Sequence, residues 1–202
     1  MNNIPNCKRK VILVTDGDRV AMNAVKVAAR NIGARIISSS AGTPTRWSGA
    51  ELVKMIKQAP RDPVVVMLDD RGYNGEGQGE KALAFIASHP EIQVLGVLAV
   101  ASNTENVSGC TVDASINIFG QVIEGAVDKT GRPKHNPQEG DTLEIINSLN
   151  LPLVIGIGDI GKMEGADEAK KGAPLTTRAF QTIIEKSGFT RDLAIPQHEV
   201  NS

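Results

Sequence analysis

Side chains that could bind an ion or a small anion follow the apolar runs of this sequence. They are acidic, hydroxyl and lysine side chains, with glycines among them. They are Asp16, Gly17 and Asp18 after the first run, Asp69 and Asp70 after a later one, Ser102 after the next, and Gly158, Asp159 and Lys162 after the last. Carboxylate oxygens are the ligands that hard cations such as Mg²⁺ and Ca²⁺ prefer. A serine hydroxyl and a lysine suit a phosphate-like anion held against such a cation.

The apolar runs that precede these residues have the length of strands buried on both faces of a sheet. They cover residues 10–15, 63–68, 94–101 and 151–157, with a shorter run over 34–39. Between them, helical spacing is found over 19–32, 80–88 and 176–187, and a further helix opens with a Ser48–Glu51 capping box. This alternation predicts a three-layer α/β fold whose doubly wound, mostly parallel sheet has about five parallel strands in flavodoxin-like order.

In such a sheet, ligands bind beyond the carboxyl ends of the strands. We therefore predict a ligand site formed by Asp16, Gly17, Asp18, Asp70, Ser102, Gly158, Asp159 and Lys162, and a metal site for Mg²⁺ or Ca²⁺ formed by Asp16, Asp69 and Asp70. Crowded carboxylates would raise the pKa of at least one of these groups, so Asp70→Asn would stabilise the protein. The alternative is that these aspartates only cap helices and start turns, with Asp18 as the cap of the first helix.

The positions of Asp16, Asp69, Asp70 and Lys162 also follow the order found in response-regulator receiver domains. This order allows a Mg²⁺-dependent phosphoryl-handling enzyme, or a receiver-like switch, as an alternative function. Residues 156–161 match a dinucleotide fingerprint, but the next clear helix begins only near residue 176. Residues 156–162 match the start of a P-loop, but Met163 replaces the Ser or Thr that would bind Mg²⁺, and Asp159 places a negative charge in the phosphate cradle. Neither nucleotide site is therefore predicted. The scattered histidines form no catalytic set with Ser, Cys or Asp, which argues against a hydrolase. The sequence also shows no recognisable base, nucleophile or nucleotide cradle, which argues against the phosphoryl-handling enzyme.

The alternation of strands and helices is interrupted by a predicted β-hairpin over about 111–127, between the fourth and fifth parallel strands. Its exposed strand edge could pair with a partner protein, or with a second copy to form a homodimer. We expect a leader over 1–9, a single α/β domain over 10–189 that includes this insertion, and a polar, flexible tail over 190–202.

Composition restricts the possible partners. The net charge is −1, from 22 basic and 23 acidic side chains, and there is no clustered basic surface of the kind that nucleic-acid binding needs. No apolar stretch reaches the length of a membrane span, and the amino terminus lacks the pattern of a signal peptide. The sequence therefore predicts a soluble protein that does not bind nucleic acid and that reaches a membrane only through other proteins.

Several stretches in order carry a family resemblance. They are 10–18 (KVILVTDGD), 62–67 (DPVVVM), 70–77 (DRGYNGEG), 95–102 (LGVLAVAS) and 156–163 (GIGDIGKM). Together they resemble the soluble stage V sporulation protein AE family of spore-forming Firmicutes. The resemblance implies an accessory part in calcium-dipicolinate uptake during sporulation and release at germination. It also implies a peripheral place at the spore inner membrane and partners among the other dipicolinate-transport proteins, but it assigns no catalytic residues.

Overall fold

The computed structural model describes residues 7–71, 77–102, 109–140 and 142–190. Most of the predicted leader and tail lies outside these ranges, and Arg9 already belongs to the first strand. The strands are β1 (Arg9–Val14), β2 (Arg35–Ile36), β3 (Val64–Met67), β4 (Ile92–Val100), β5 (Ala114–Ile116), β6 (Val122–Ile123), β7 (Ala126–Val127), β8 (Pro133–Lys134) and β9 (Val154–Ile157). The α-helices are α1 (Arg19–Asn31), α2 (Gly49–Gln58), α3 (Gln78–Ser88) and α4 (Pro174–Ser187).

Seven strands form the main sheet, in the order β2-β3-β1-β4-β9-β5-β6, and β7 pairs with β8 in a separate antiparallel ribbon. All neighbours in the main sheet are parallel except β5 and β6. The predicted hairpin is therefore present as β5 and β6, and its first strand extends the parallel sheet beside β9. The α/β class and the mostly parallel sheet are confirmed.

The strand order differs from the flavodoxin-like order, in which the first strand lies between the second and the third. Here β3 lies between β2 and β1, with Val11 opposite Val64 and Val14 opposite Met67. Both orders allow right-handed crossovers with the same helices on each face. Because β1 and β3 are apolar on both faces, their sequence pattern does not distinguish these neighbours.

Two apolar cores lie on opposite faces of the sheet, which explains why its central strands are apolar throughout. Along β1, Ile12 and Val14 pack in the core under α1 and α4, whereas Val11 and Leu13 pack in the core under α2 and α3. All four side chains are fully buried. A strand with side chains alternating between two cores has no polar face.

The helix ends follow the predicted signals. Asp18 caps α1 by accepting a hydrogen bond from Ala21 N at 2.7 Å. The predicted capping box is present before α2, where Ser48 and Glu51 bond each other's backbone N–H. Gly188 has the left-handed conformation that ends α4.

Two predicted elements are shorter than expected. The strand predicted over 34–39 is reduced to β2, and a 3₁₀ turn at Ser38–Ser40 follows it because Ser40 Oγ accepts a hydrogen bond from Met67 N at 2.9 Å. The sequence of residues 141–144 (DTLE) predicts a capped helix that ends near residue 149, but the structure has a shorter 3₁₀ segment here, Glu144–Ser148. Residue 141, its predicted cap, lies outside the described residues.

Candidate functional site

A polar cleft lies at the carboxyl ends of β3, β1, β4 and β9. Its volume is about 360 Å³, at the small end of the range for ligand pockets. The chain leaves β1 towards α1 on one face and β3 towards α3 on the other, so the cleft occupies a topological switch point. It is lined by Thr15, Asp16, Asp18, Thr43, Asp69, Arg71, Val100, Ala101, Ser102, Lys129, Asp159 and Lys162.

Asp16, which lines this cleft, lies close after the end of β1. Its Oδ1 accepts a hydrogen bond from Asp18 N at 3.0 Å. Burial, with repulsion from Asp18, Asp69 and Asp159, raises the pKa of Asp16 from 3.8 to about 7. The sequence predicted a carboxyl pKa raised by carboxylate repulsion; repulsion contributes at Asp16, but burial is the larger cause.

Lys162 neutralises the two aspartates on the β9 side of the cleft. Its Nζ lies 3.0 Å from Asp18 Oδ2 and 3.0 Å from Asp159 Oδ1. Burial lowers the pKa of Lys162, but hydrogen bonds to the two carboxylates and their charge attraction together outweigh it and raise the pKa to about 12. Lys162 is therefore a charged bridge between the loop after β1 and the loop after β9.

Asp69 is almost completely buried at the end of β3, with 6% of its surface exposed. Its Oδ1 accepts a hydrogen bond from Arg71 N at 2.7 Å, and its backbone bonds Thr45 in both directions. Asp69 thus shapes its own loop, as the capping alternative expects, and also lines the cleft beside Asp16.

Asp70 is held at the amino terminus of α3 and does not line the cleft. Its Oδ1 accepts a hydrogen bond from Gly79 N at 2.5 Å, and its Oδ2 accepts bonds from Glu80 N at 2.9 Å and Thr142 Oγ1 at 3.1 Å. Asp70→Asn is therefore expected to lower the stability of the protein and not to raise it. The carboxylate satisfies donors that an amide group would satisfy only in part. The structure separates Asp70 from the residues with which the sequence grouped it.

The two predicted glycines bring loops close together around the cleft. A methyl group on Gly17 would lie 2.8 Å from Asp69 Cβ and would overlap the carbonyl oxygen of Gly42. A methyl group on Gly158 would lie 2.7 Å from Gly131 N and 2.8 Å from Lys129 O. Both glycines are needed for packing of the surrounding loops, and neither lines the cleft.

Ser102 follows β4, lines the cleft, and donates its backbone N–H to Glu139 O at 3.1 Å. Within the described ranges, no group of three or more His, Cys, Asp or Glu side chains is arranged to hold a metal ion. Of the three predicted metal ligands, Asp16 and Asp69 are the two in the cleft. A cation there would need water or a second ligand molecule to complete its coordination.

Six residues that line the cleft were not among the predicted site residues: Thr15, Thr43, Arg71, Val100, Ala101 and Lys129. Lys129 belongs to the Asp128-Lys129-Thr130-Gly131 turn, which joins β7 to β8 and is recognisable in the sequence. Its place beside β9 is decided by a long-range hydrogen bond from Asp159 N to Lys129 O, at 2.8 Å. No local pattern indicates this contact.

The protein is therefore a doubly wound α/β protein with a polar cleft at the topological switch point, where proteins of this class bind ligands. The family model described as stage V sporulation protein AE1 matches residues 10–187. The chain therefore belongs to this family, and its role lies in sporulation.

No curated protein and no solved structure shows significant similarity to the chain. None of the helices in the described part of the chain combines the length and apolar character that a membrane crossing needs.

Proposed function

We propose that this protein is an accessory component of the spore machinery for calcium-dipicolinate uptake and release. It acts by binding the transport proteins of that machinery, through which it associates with the spore inner membrane. An ion or small anion binds in the cleft at the carboxyl edge of the sheet and is sensed there. The cleft supports the sensing part of this proposal, because it brings the Asp16 carboxyl of raised pKa together with cationic side chains at the switch point. Membership of the sporulation family supports the accessory role.

The partner surface that we propose is the tip and outer edge of the β5–β6 hairpin. Phe119 in the turn is 81% exposed, and Val122 on β6 is 38% exposed. The strand β6 is the last of the main sheet, so its outer edge can accept another strand. An exposed aromatic side chain next to an open edge is typical of a protein-binding surface.

The experiment is capture of tagged full-length protein and its partners from membranes of sporulating cells. Phe119→Glu should abolish recovery of the dipicolinate-transport proteins, because it places a charge where an apolar contact forms. The turn itself should persist, since Asn117 Oδ1 still accepts the backbone N–H groups of residues 119 and 121. Val20→Glu, a similar change at an exposed position in α1, is the matched control and should leave recovery unchanged.

Two results would contradict this proposal. One is undiminished recovery with Phe119→Glu. The other is a normal dipicolinate content in spores of a strain that lacks the gene. If recovery is unchanged but the pure protein sediments as a dimer that Phe119→Glu dissociates, the hairpin instead joins two copies of the chain.

The second candidate is the phosphoryl-handling enzyme or receiver-like switch. Asp16, Asp69 and Lys162 do share one cleft, which favours it. Asp70 is engaged by α3 and Lys162 by two aspartates, which weakens it. Incubation with acetyl phosphate and Mg²⁺ decides between the candidates: a mass increase of one phosphoryl group, lost in Asp69→Asn, would favour the switch.

A further inference from the structure

A second cavity lies at the opposite edge of the sheet from the cleft, where the parallel strands begin. We call this edge the amino edge. The cavity has a volume of about 570 Å³, which is within the range of ligand pockets. It is lined by the beginning of β1, the loop before β3, the first half of β4 and the residues at the end of α4. The proposed function makes no use of it.

This cavity carries positive charge, because the carboxylate in its lining is already neutralised. Asp62 pairs with Arg9 at 2.8 Å and accepts the backbone N–H of Lys10 at 3.1 Å. Lys10 Nζ donates to the amide oxygen of Gln93, a partner without charge. Arg61 is exposed. Among the described residues, neither Lys10 nor Arg61 has an ion-pair partner, so two positive charges remain in the lining.

The surroundings of the cavity preserve this positive charge. Carboxylates next to it are paired: Glu91 lies 2.6 Å from Lys57, and Glu185 lies 3.3 Å from Arg178. Lys186, in the last turn of α4, is exposed and adds a further cation. The carboxyl edge, in contrast, carries the aspartates of the cleft. A chain whose net charge is only −1 therefore has a basic amino edge.

Apolar side chains also line the cavity, and they restrict the kind of anion that fits it. Leu95 is buried, Phe189 is half-buried, and Pro60 is exposed. Cations beside an apolar surface suit a phospholipid, whose anionic headgroup adjoins an apolar tail. A purely acidic protein segment would satisfy the cations and would leave the apolar side chains without a matching group.

We propose that the amino edge of the sheet binds the surface of an anionic phospholipid bilayer, with headgroup phosphates held by Lys10 and Arg61. This contact is direct, and it adds to the association through the transport proteins. It leaves the cleft and the hairpin turn facing away from the bilayer. The turn lies at the carboxyl edge, because β5 runs parallel to β9 and the turn follows Ile116, which is opposite Ile157.

Composition alone did not indicate this surface, because its cations come from distant parts of the chain. Lys10, Arg61 and Lys186 belong to three separate segments, of which only the first has a basic run in the sequence. The fold brings these segments together because parallel strands begin at one edge and the helix that returns from the other edge ends there.

Co-sedimentation of the full-length protein with protein-free vesicles tests this surface. The protein should bind vesicles that contain phosphatidylglycerol and should bind those of phosphatidylcholine alone much more weakly, and added salt should reduce the difference. The double variant Lys10→Gln, Arg61→Gln should lower the partition coefficient on the anionic vesicles by about tenfold or more, because each basic residue near an anionic surface strengthens binding severalfold.

The double variant Lys54→Gln, Lys81→Gln is the matched control. It removes the same net charge from exposed positions on α2 and α3, and it should leave binding nearly unchanged. Thermal unfolding verifies that both variants keep the fold. Equal binding of the wild type to both kinds of vesicle would overturn the inference, as would an equal loss in the two variants.

The identity of the occupant is tested separately. The vesicles contain no protein, so their binding does not depend on the transport proteins or on the accessory role. If the wild type does not bind anionic vesicles, while Lys10→Gln with Arg61→Gln abolishes capture of proteins from membranes of sporulating cells, the amino edge binds an acidic protein and the lipid inference is wrong.

Discussion

At the scale of single residues, Asp16 is a buried carboxyl group of the cleft whose pKa is strongly raised. The charged groups that face it are Asp18, Asp69, Asp159, Lys162, Arg71 and Lys129. Burial and the neighbouring aspartates disfavour its ionised form, and they raise its pKa from 3.8 to about 7. The folded chain therefore holds a proton at Asp16 over a pH range in which the unfolded chain has lost it.

Stability should accordingly depend on pH through this one residue. Between about pH 4 and pH 7, the folded state binds more protons at Asp16 than the unfolded state, so the stability contribution falls as the pH rises and is constant above this window. Asp16→Asn removes the ionisation and keeps an oxygen for the Asp18 N–H. We expect it to raise the free energy of unfolding by about 1–3 kcal/mol at pH 8 and by little at pH 4. Urea denaturation at both pH values measures this, and equal effects at both would contradict it.

Asp70 is expected to behave in the opposite way, because its carboxylate accepts hydrogen bonds from three donors. Asp70→Ala would leave Gly79 N, Glu80 N and the Thr142 hydroxyl without this acceptor. We expect a loss of about 1–3 kcal/mol of stability, from the missing helix cap and the unsatisfied donors. Denaturant unfolding measures it, with Asp113→Ala as a control that removes the carboxylate hydrogen bond from Val154 N. A gain in stability would show that Asp70 belongs to the crowded cluster after all.

At the scale of elements, the loop between β9 and α4 is held by Asp167, which is fully buried. Its Oδ1 accepts hydrogen bonds from Leu175 N and Thr176 N, both at 2.9 Å. Its Oδ2 accepts bonds from Gly161 N at 2.9 Å and Thr176 Oγ1 at 2.6 Å. One carboxylate thus joins the first turn of α4 to the residue before Lys162, and so positions the lysine in the cleft.

Loss of this carboxylate should affect both stability and the cleft. Asp167→Ala leaves several buried donors unsatisfied, and we expect it to cost about 2–4 kcal/mol. Equilibrium unfolding in urea measures the loss, with the exposed Glu185→Gln as control. In the folded variant, NMR titration should also show a lower pKa for Lys162, since its bonds to Asp18 and Asp159 loosen. A loss of stability below about 0.5 kcal/mol, the range of ordinary surface substitutions, would show that the loop is held by other contacts.

At the scale of the whole molecule, Gln138 ties the main sheet to the β7–β8 ribbon. This fully buried side chain donates hydrogen bonds to Ala99 O at 3.2 Å and Ile157 O at 2.9 Å, at the ends of β4 and β9. Its Oε1 accepts a bond from Val127 N of β7 at 2.9 Å. The amide group of Gln138 therefore joins the β7–β8 ribbon to two strands of the parallel sheet, in addition to the hydrogen bond from Asp159 N to Lys129 O.

Gln138→Leu should destabilise the whole domain, because a side chain of similar size replaces three buried hydrogen bonds with none. We expect a loss of about 2–4 kcal/mol. Thermal and urea unfolding measure it, and Gln58→Leu at an exposed position is the control. Hydrogen exchange should show faster exchange at Val127 N than in the wild type. Unchanged protection there would mean that the ribbon is attached independently of Gln138.

Local signals in the sequence determined the class of the fold, the helix caps at Asp18 and Ser48, and the polar residues at the strand ends. These features depend on spacing and on neighbours a few residues away, which a sequence displays directly. The family was likewise evident from ordered motifs, and it is confirmed over residues 10–187. The presence of Asp16, Asp69, Asp159 and Lys162 around one cleft follows from parallel strands ending at the same edge.

Only the tertiary structure decided which of two adjacent aspartates lines the cleft. Asp69 lines it, whereas Asp70 accepts a hydrogen bond from Gly79 N at the start of α3. This contact joins residues nine positions apart, and no local sequence pattern predicts it. The position of β3 beside β1, and the arrival of Lys129 beside β9, likewise depend on contacts between residues far apart in the chain. Apolar strands that are buried on both faces present the same pattern to any neighbour, so their order is settled by packing of the complete sheet.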